Sequence, residues 1–311
     1  MIKDDLFKYE PTVMQSLTNA LKSSRLAHTI LLSGPKNPLK LKLAYLLSAV
    51  IVACEKEFPD DDDNTLRRII SDDYPDVIYV DGNKATIKKE DIEKIFVSFA
   101  KTAFEGQNKV YILNNINNAS NKVYNMLLKF MEEPRGDTYA ILISDAKDSL
   151  LDTIVSRCVD LSFHKADLKI IQKMYEDDGF EREDAVILSN SLKEYRHLEL
   201  NDINYLTAKD MVDKTMDDLL DPYALAAYFN NEIYNIKEAK GYDFKEVLKF
   251  YFGAMIYRLN KSLKEDDEAF KGIDLLRYMQ LCLKLRDMAS GNYDRKLLLD
   301  RMCFEMKGMI V

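Results

Sequence analysis

The chain has only four cysteines in 311 residues, and none of them forms a C-x-x-C pair: Cys54, Cys158, Cys282 and Cys303 are spread widely. That spacing argues against a disulfide framework and against a zinc site built on cysteines. A reduced, cytoplasmic location is the default expectation. No apolar run reaches the roughly 18–20 residues of a membrane span. The longest, Leu43–Cys54, contains Ser48, starts beside Lys42 and reads as a buried helix. The opening Met1-Ile2-Lys3-Asp4-Asp5 is acidic where a secretion signal is basic, and no apolar segment with a cleavage site follows. A positive balance is also missing. The chain carries 44 Lys+Arg against 52 Asp+Glu, a net charge of −8. This argues against a generic nucleic-acid coat, but not against a subunit that meets DNA only inside a complex.

At about 100–200 residues per domain, the length allows two or three domains, and 47% hydrophobic residues supply ordinary cores. Residues 1 to 165 alternate short apolar strands with helical segments. The spacing predicts strands over Thr29–Leu32, Val77–Val80, Val110–Leu113, Tyr139–Ile143 and Val159–Phe163. Every gap between them is long enough for a crossover, the signature of a parallel α/β sheet. Helices are expected over Leu39–Cys54, Lys88–Ala103 and Asn118–Met131. The third has Ser120 available as a cap, and Val123, Met126, Leu127, Phe130 and Met131 form one stripe. Glu132-Glu133-Pro134 should end it, because the residue before proline avoids the α region. The Asp60–Asp63 run is expected to be solvated loop.

After residue 165 the strand signal disappears. Ala166–Asp177 and Arg182–Tyr195 read as short helices, and Phe244–Leu259, Ile273–Met288 and Asp294–Met306 as longer apolar ones. Residues 1–165 carry 22 basic and 24 acidic side chains, and residues 166–311 carry 22 and 28, so the helical part holds most of the excess charge.

The loop after the first strand, Gly34-Pro35-Lys36-Asn37-Pro38-Leu39-Lys40-Leu41, has the place and spacing of a G-x-x-x-x-G-K-[ST] phosphate loop. A working loop needs the second glycine to let N–H groups close around phosphates, the lysine for charge and the hydroxyl for Mg²⁺. Gly34 and Lys40 remain. Leu39 and Leu41 replace the second glycine and the hydroxyl, and Pro38 removes an N–H. Taken alone, these residues read as a turn that binds nothing. The strand Lys109–Leu113 ends in Asn114-Asn115, where nucleotide-hydrolysing proteins place an acid; a neutral amide supplies neither the charge nor a base. Both defects fall where Mg²⁺ would be handled, which points to a nucleotide site that has lost its function.

Several runs stand in an ordered series. They are Arg25-Leu26-Ala27-His28 with Leu32-Ser33-Gly34-Pro35; Tyr74-Pro75-Asp76-Val77; Gly106-Gln107-Asn108-Lys109-Val110; Asn125-Met126-Leu127-Leu128-Lys129-Phe130-Met131-Glu132-Glu133-Pro134; and Leu150-Leu151-Asp152-Thr153-Ile154-Val155-Ser156-Arg157-Cys158. In these the chain resembles the clamp-loader ATPases of bacterial DNA polymerase III, above all their delta-prime type. The tail from Gly291 to Asp300 is similar to the last helix of that family's collar. The resemblance is strong over residues 25–163, weak over 166–220 and moderate over 240–307.

The resemblance implies a RecA-like AAA+ domain over residues 1–165, a small helical lid over 166–215 and a helical collar over 216–311. It implies a non-hydrolysing subunit that supports ring assembly, with tau/gamma-type motor subunits and a delta subunit as partners. The sliding clamp and primed DNA would be reached through the assembled ring. It also gives Arg157, within Ser156-Arg157-Cys158, the role of an arginine finger in a neighbour's ATP site. The plain alternative for Arg157 is a surface salt bridge; the surrounding motif favours the finger. Cys158 is expected to be a packed core residue, and Ser144 a hydrogen-bonded strand end. His28 is expected to be structural, and Lys40 a remnant on the surface. Lys122 and Lys129 are open between a DNA face and ordinary solvated charges. Arg196 is a weak candidate for the lid's nucleotide-sensing arginine. Many relatives carry a four-cysteine zinc module after the phosphate loop; the stretch Cys54 to Tyr74 has one cysteine, so no zinc, and no other cofactor, is expected. Two rival functions stay in view: a divergent motor subunit still binding ATP through Gly34 and Lys40, and an AAA+ scaffold reused elsewhere.

Overall fold

The computed structural model describes residues 2–99, 103–132, 137–192, 195–196, 198–234, 236, 242–265, 270, 272–289, 291 and 293–310. They fall into two compact units, Met1–Asp167 and Leu168–Val311.

The first unit runs α1 (Ile2–Tyr9), α2 (Pro11–Lys22), β1 (Thr29–Ser33), α3 (Leu39–Ala53), α4 (Asn64–Ile70), β2 (Val77–Asp81), α5 (Lys89–Phe99), β3 (Lys109–Asn114), α6 (Asn121–Glu132), β4 (Thr138–Ile143), α7 (Asp152–Val155) and β5 (Val159–Ser162). The sheet is parallel throughout, in the order β2-β3-β4-β1-β5. The interior strand β1 is buried along its whole length between β4 and β5, as expected of a strand covered on both faces. This is the parallel α/β sheet that the spacing predicts, and each of the five strands lies within a residue or two of the sequence expectation. Helix α3 is apolar all round and correspondingly buried, from Leu43 to Val52.

The helix expected from Asn118 begins at Asn121, because Ile116–Asn118 is a 3-10 turn. Its stripe enters a core with Leu31, Tyr111, Leu113, Leu142 and Ile154. Phe130 stacks on Phe96 at 4.8 Å and meets Tyr111 edge-on at 5.4 Å. Helix α6 is described to Glu132, and the Glu133-Pro134 stop lies outside the described residues; the helix expected to reach Ala103 is described to Phe99, and Ala103 itself is not helical.

Two of the sequence motifs lock onto each other. Asp76 of Tyr74-Pro75-Asp76-Val77 is 3% exposed. Its carboxylate accepts the N–H groups of Phe104, Glu105 and Gly106 at 2.6–2.7 Å. Gly106 opens the Gly106-Gln107-Asn108 run, and a Cβ there would sit 2.9 Å from the Val52 carbonyl oxygen. A carboxylate holding several backbone donors is a strong local tie. The Asp60–Asp63 run is loop, as expected, but its carboxylates are engaged. Asp63 caps α4 through Leu66 N–H, Asp61 accepts from Ile2 N–H, and Asp60 pairs with Lys3. Acidic groups at helix N-termini are favoured there.

The second unit is all-helical: α8 (Leu168–Asp177), α9 (Arg182–Leu192), α10 (Ile203–Asp217), α11 (Pro222–Tyr228) with a π-turn over Phe229–Ile233, α12 (Phe244–Glu265), α13 (Leu275–Ala289) and α14 (Arg295–Met306). Helices α9, α10 and α13 all pack on α12. At Gly253 of α12 a Cβ would stand 1.7 Å from Ser191 Oγ and 2.6 Å from its Cβ, so the missing side chain lets α9 approach. Beneath it, the buried Tyr251 hydroxyl bonds Thr215 Oγ1 at 2.9 Å. Arg258 and Lys261 of α12 pair with Glu183 of α9. Arg196 pairs with Glu246 of α12 at 2.5 Å. Asp294 caps α14 through Lys296 and Leu297 N–H, which accounts for the aspartate of the tail motif.

Candidate functional site

The loop from β1 to α3 lies at the carboxyl edge of the sheet, where open parallel sheets receive ligands. Gly34 opens it at φ 113°. A Cβ at this position would stand 2.3 Å from the Phe163 carbonyl oxygen, so only glycine fits. The two strands are tied at the same point, Phe163 N–H donating to Ser33 O at 2.8 Å. Gly34 is therefore required by β1–β5 packing, with or without a phosphate.

Asn37 fills the middle of the loop. Its Nδ2 donates to Glu10 Oε1 and to the His164 carbonyl, both at 2.9 Å, and its Oδ1 accepts Leu39 N–H at 2.9 Å. Glu10, at the α1–α2 junction, is buried and also faces His164 Nδ1 at 3.2 Å. Burial raises the Glu10 carboxyl pKa, with His164 and Asn37 pulling it back. The Leu39 amide, one of the donors a phosphate would use, is thus taken by a side chain of the loop itself. Pro38 contributes no N–H.

Lys40 is not a surface remnant. It is 1% exposed. Its Nζ donates to the Gly34 carbonyl at 2.8 Å, to the Ser144 carbonyl at 2.8 Å and to Asp145 Oδ1 at 2.5 Å. An ammonium has three N–H donors, and all three are engaged. The physical reason is local. The lysine's stem is anchored in the first turn of α3, and a buried ammonium must find acceptors. The nearest are the carbonyls ending β1 and β4 and a carboxylate one residue further on. Burial lowers the Lys40 pKa, and Asp145 offsets part of that. Removing one member of such a pair leaves the other uncompensated, a loss of about 3 kcal/mol for buried groups; Asp145 is one-third exposed, which reduces it here. Ser144 is buried, and its Oγ accepts Ala146 N–H at 3.2 Å, so it is a hydrogen-bonded strand end.

The two asparagines at the end of β3, Asn114 within it and Asn115 just after, bond to residues at the end of β2. Asn114 Nδ2 donates to Tyr79 Oη and Asp81 Oδ1, each at 3.1 Å, and Asn115 Nδ2 to Asn83 Oδ1 at 3.0 Å. Asn115 has φ 51°, in the left-handed region that asparagine tolerates. They join β2 to β3.

Arg157 sits elsewhere, in the turn between α7 and β5. Its Nη1 donates to the Thr153 carbonyl at 2.9 Å and its Nη2 to Glu132 Oε1 at 2.7 Å. The Arg157 side chain is 38% exposed and that of Glu132 54%. The turn beneath is firm. Cys158 packs against the α6–α7 core, its Sγ donating to the Ile154 carbonyl at 3.2 Å. Burial pushes the Cys158 thiol up to about 12, so it is a packed group and not a nucleophile. Ser156 Oγ bonds Thr153 O at 3.3 Å. His28 stacks on Tyr139 at 4.6 Å, a structural contact. Lys122 and Lys129 are exposed on α6.

After the phosphate-loop helix, Cys54 ends α3 at φ 55° and its Sγ accepts Asn108 Nδ2 at 3.0 Å. Arg68 forms a two-pronged pair with Glu105 at 2.6 and 3.0 Å and lies 5.0 Å from the Tyr74 ring centroid. Among the described residues no cluster of three or more His, Cys, Asp or Glu is placed to hold a metal. No described helix is long and apolar enough to cross a membrane.

The structure thus gathers Gly34 and Lys40 into one hydrogen-bonded knot, and sets Ser156, Arg157 and Cys158 in a separate turn with their own partners. Glu10, Asn37, Asp145 and Glu132 are contact partners at these two places that the sequence does not reveal. Their contacts span 25 to 154 positions, and no local pattern marks them.

Residues 9–167 match the family model described as "DNA polymerase III, delta subunit". The chain is 35% identical over 176 residues to the DNA polymerase III delta-prime subunit of Bacillus subtilis, covering 56% of this chain and 54% of that one. It is 31% identical over 158 residues to the tau subunit of the same organism, covering 49% and 27%. The chain therefore spans about half, or less, of the length of these relatives. A solved gamma-subunit-related protein of Thermotoga maritima is 14% identical, with 95% of this chain and 98% of that one covered and a TM-score of 0.42. With just over half its length matched by the family model, the chain belongs to the DNA polymerase III delta-subunit family, as a delta-prime-like member.

Proposed function

We propose that this chain is a non-hydrolysing subunit of a DNA polymerase III clamp loader. On this reading it supports ring assembly and donates Arg157 in trans to the ATP site of an adjacent motor subunit during sliding-clamp loading. The observation that carries it is Lys40, whose ammonium is folded back onto Gly34, Ser144 and Asp145. A lysine held this way is not available to a nucleotide's phosphates, while Arg157 stands exposed on a rigid turn. Nothing in the closed loop resembles a cradle: the Leu39 amide is taken and Pro38 has none. The chain would not bind nucleotide usefully and would hold no zinc. Residues 166–215 would serve as the lid and 216–311 as the collar. Its partners would be tau/gamma-type and delta-type subunits, with the clamp and primed DNA met through the ring.

The competing reading is a divergent motor subunit, favoured by the similarity to tau and by the retention of Gly34 and Lys40. Both retentions have packing reasons here. Mixing the purified chain with motor and delta subunits is expected to give a stoichiometric complex on size exclusion. The chain alone should show no ATP turnover and no bound zinc by metal analysis. Failure to join the complex would exclude the loader role, and turnover by the isolated chain would favour the motor.

A further inference from the structure

The partner that holds Arg157 lies on a different element from the turn that carries it. Glu132 is the last residue of α6, and Arg157 is 25 residues later, between α7 and β5. Of the five guanidinium N–H donors, one on Nη1 bonds Thr153 O and one on Nη2 bonds Glu132 Oε1. Both bonds are made at the tip of the side chain: the Thr153 contact is an i−4 bond to the same turn, and the Glu132 contact reaches a different element.

A carboxylate and a phosphoryl group present the same chemistry to a guanidinium: two oxygens sharing negative charge, met by a planar fork. Glu132 therefore occupies the position that an incoming phosphate oxygen would have to take. Both partners are partly exposed, so the pair is weak and screened. A triphosphate with more charge, in a partly desolvated interface, can displace it.

We propose that Glu132 is a positioning residue that parks Arg157, holding the finger off until a nucleotide-loaded neighbour is docked closely enough to outcompete it. The inference rests on the trans role of Arg157 proposed above. Because Glu132 ends the helix that carries the exposed Lys122 and Lys129, any movement of α6 would also move the parking site.

The test uses the reconstituted loader. Glu132→Gln keeps the length of the side chain and removes its charge. The basal ATP hydrolysis rate, measured without clamp or DNA, is expected to rise about two- to five-fold, the range open to an exposed ion pair. The stimulated rate should change less, because there the finger is already engaged. In an Arg157→Ala background the same Glu132→Gln change should do nothing. An unchanged or lower basal rate for Glu132→Gln, with Arg157→Ala still impaired, overturns the parking role and leaves the finger intact. A rise that persists in the double variant also overturns it, because Glu132 would then act on the nucleotide directly. If Arg157→Ala alone has no effect, it is the underlying reading that fails.

Discussion

Substituting Arg157 by alanine is expected to slow ATP hydrolysis at the adjoining motor subunit's site by about a thousandfold while ring assembly proceeds normally. The size follows from what a guanidinium does at a transferring phosphoryl group. It neutralises charge that develops only in the transition state, in a site from which water is largely excluded. The variant should fold, because Arg157 is partly exposed and its ion pair with Glu132 is equally open to solvent. Arg157→Lys should recover little. An ammonium cannot present the planar two-pronged contact. Single-turnover hydrolysis in a loader where only the adjoining site is competent gives the rate directly. An unchanged rate would remove the finger from the mechanism.

Gly34→Ala should cost at least about 4 kcal/mol of stability, the range of the severest single substitutions. Two penalties coincide. At φ 113° a side chain is strained whatever surrounds it, and the new Cβ would lie 2.3 Å from the backbone oxygen of Phe163. No rotamer relieves a clash with backbone, so β5 would have to separate from β1 at the Ser33–Phe163 hydrogen bond. Urea unfolding of the full chain measures the loss through the transition of the first unit. A change below about 1 kcal/mol would mean that the glycine is not retained for packing, and a phosphate role would regain its appeal.

The two substitutions explain why the sequence was legible in part. The sheet was readable because its strands are short β-branched runs separated by crossover lengths, and burial on both faces leaves them almost no polar residues. Helix α10 left a faint signal because its buried face includes Asn204 and Thr215, which dilute the apolar stripe. The departures from the phosphate-loop pattern could be read residue by residue, since Leu39, Leu41 and Asn114 stand at fixed motif positions. The contacts that fill the loop could not. Lys40 finds Ser144 and Asp145 more than a hundred residues away. A lysine after a broken motif looks like an exposed leftover until the fold supplies acceptors. The same holds for Asp76, which reads as one letter of a motif and proves to bind three backbone N–H groups leading into another, which starts at Gly106.

Part of the negative charge has structural counterparts. Aspartates 60, 61 and 63 anchor the start of α1 and cap α4. Between Cys54 and Tyr74, Arg68 pairs with Glu105 and lies beside the Tyr74 ring.

The most direct measurement is a calorimetric titration of the isolated chain with Mg²⁺-ATP. A loop whose lysine is bound to Gly34, Ser144 and Asp145, and whose Leu39 amide is bound to Asn37, should give no saturable heat up to millimolar nucleotide. Saturable, Mg²⁺-dependent binding at micromolar nucleotide would contradict the closed loop and make the chain a motor subunit.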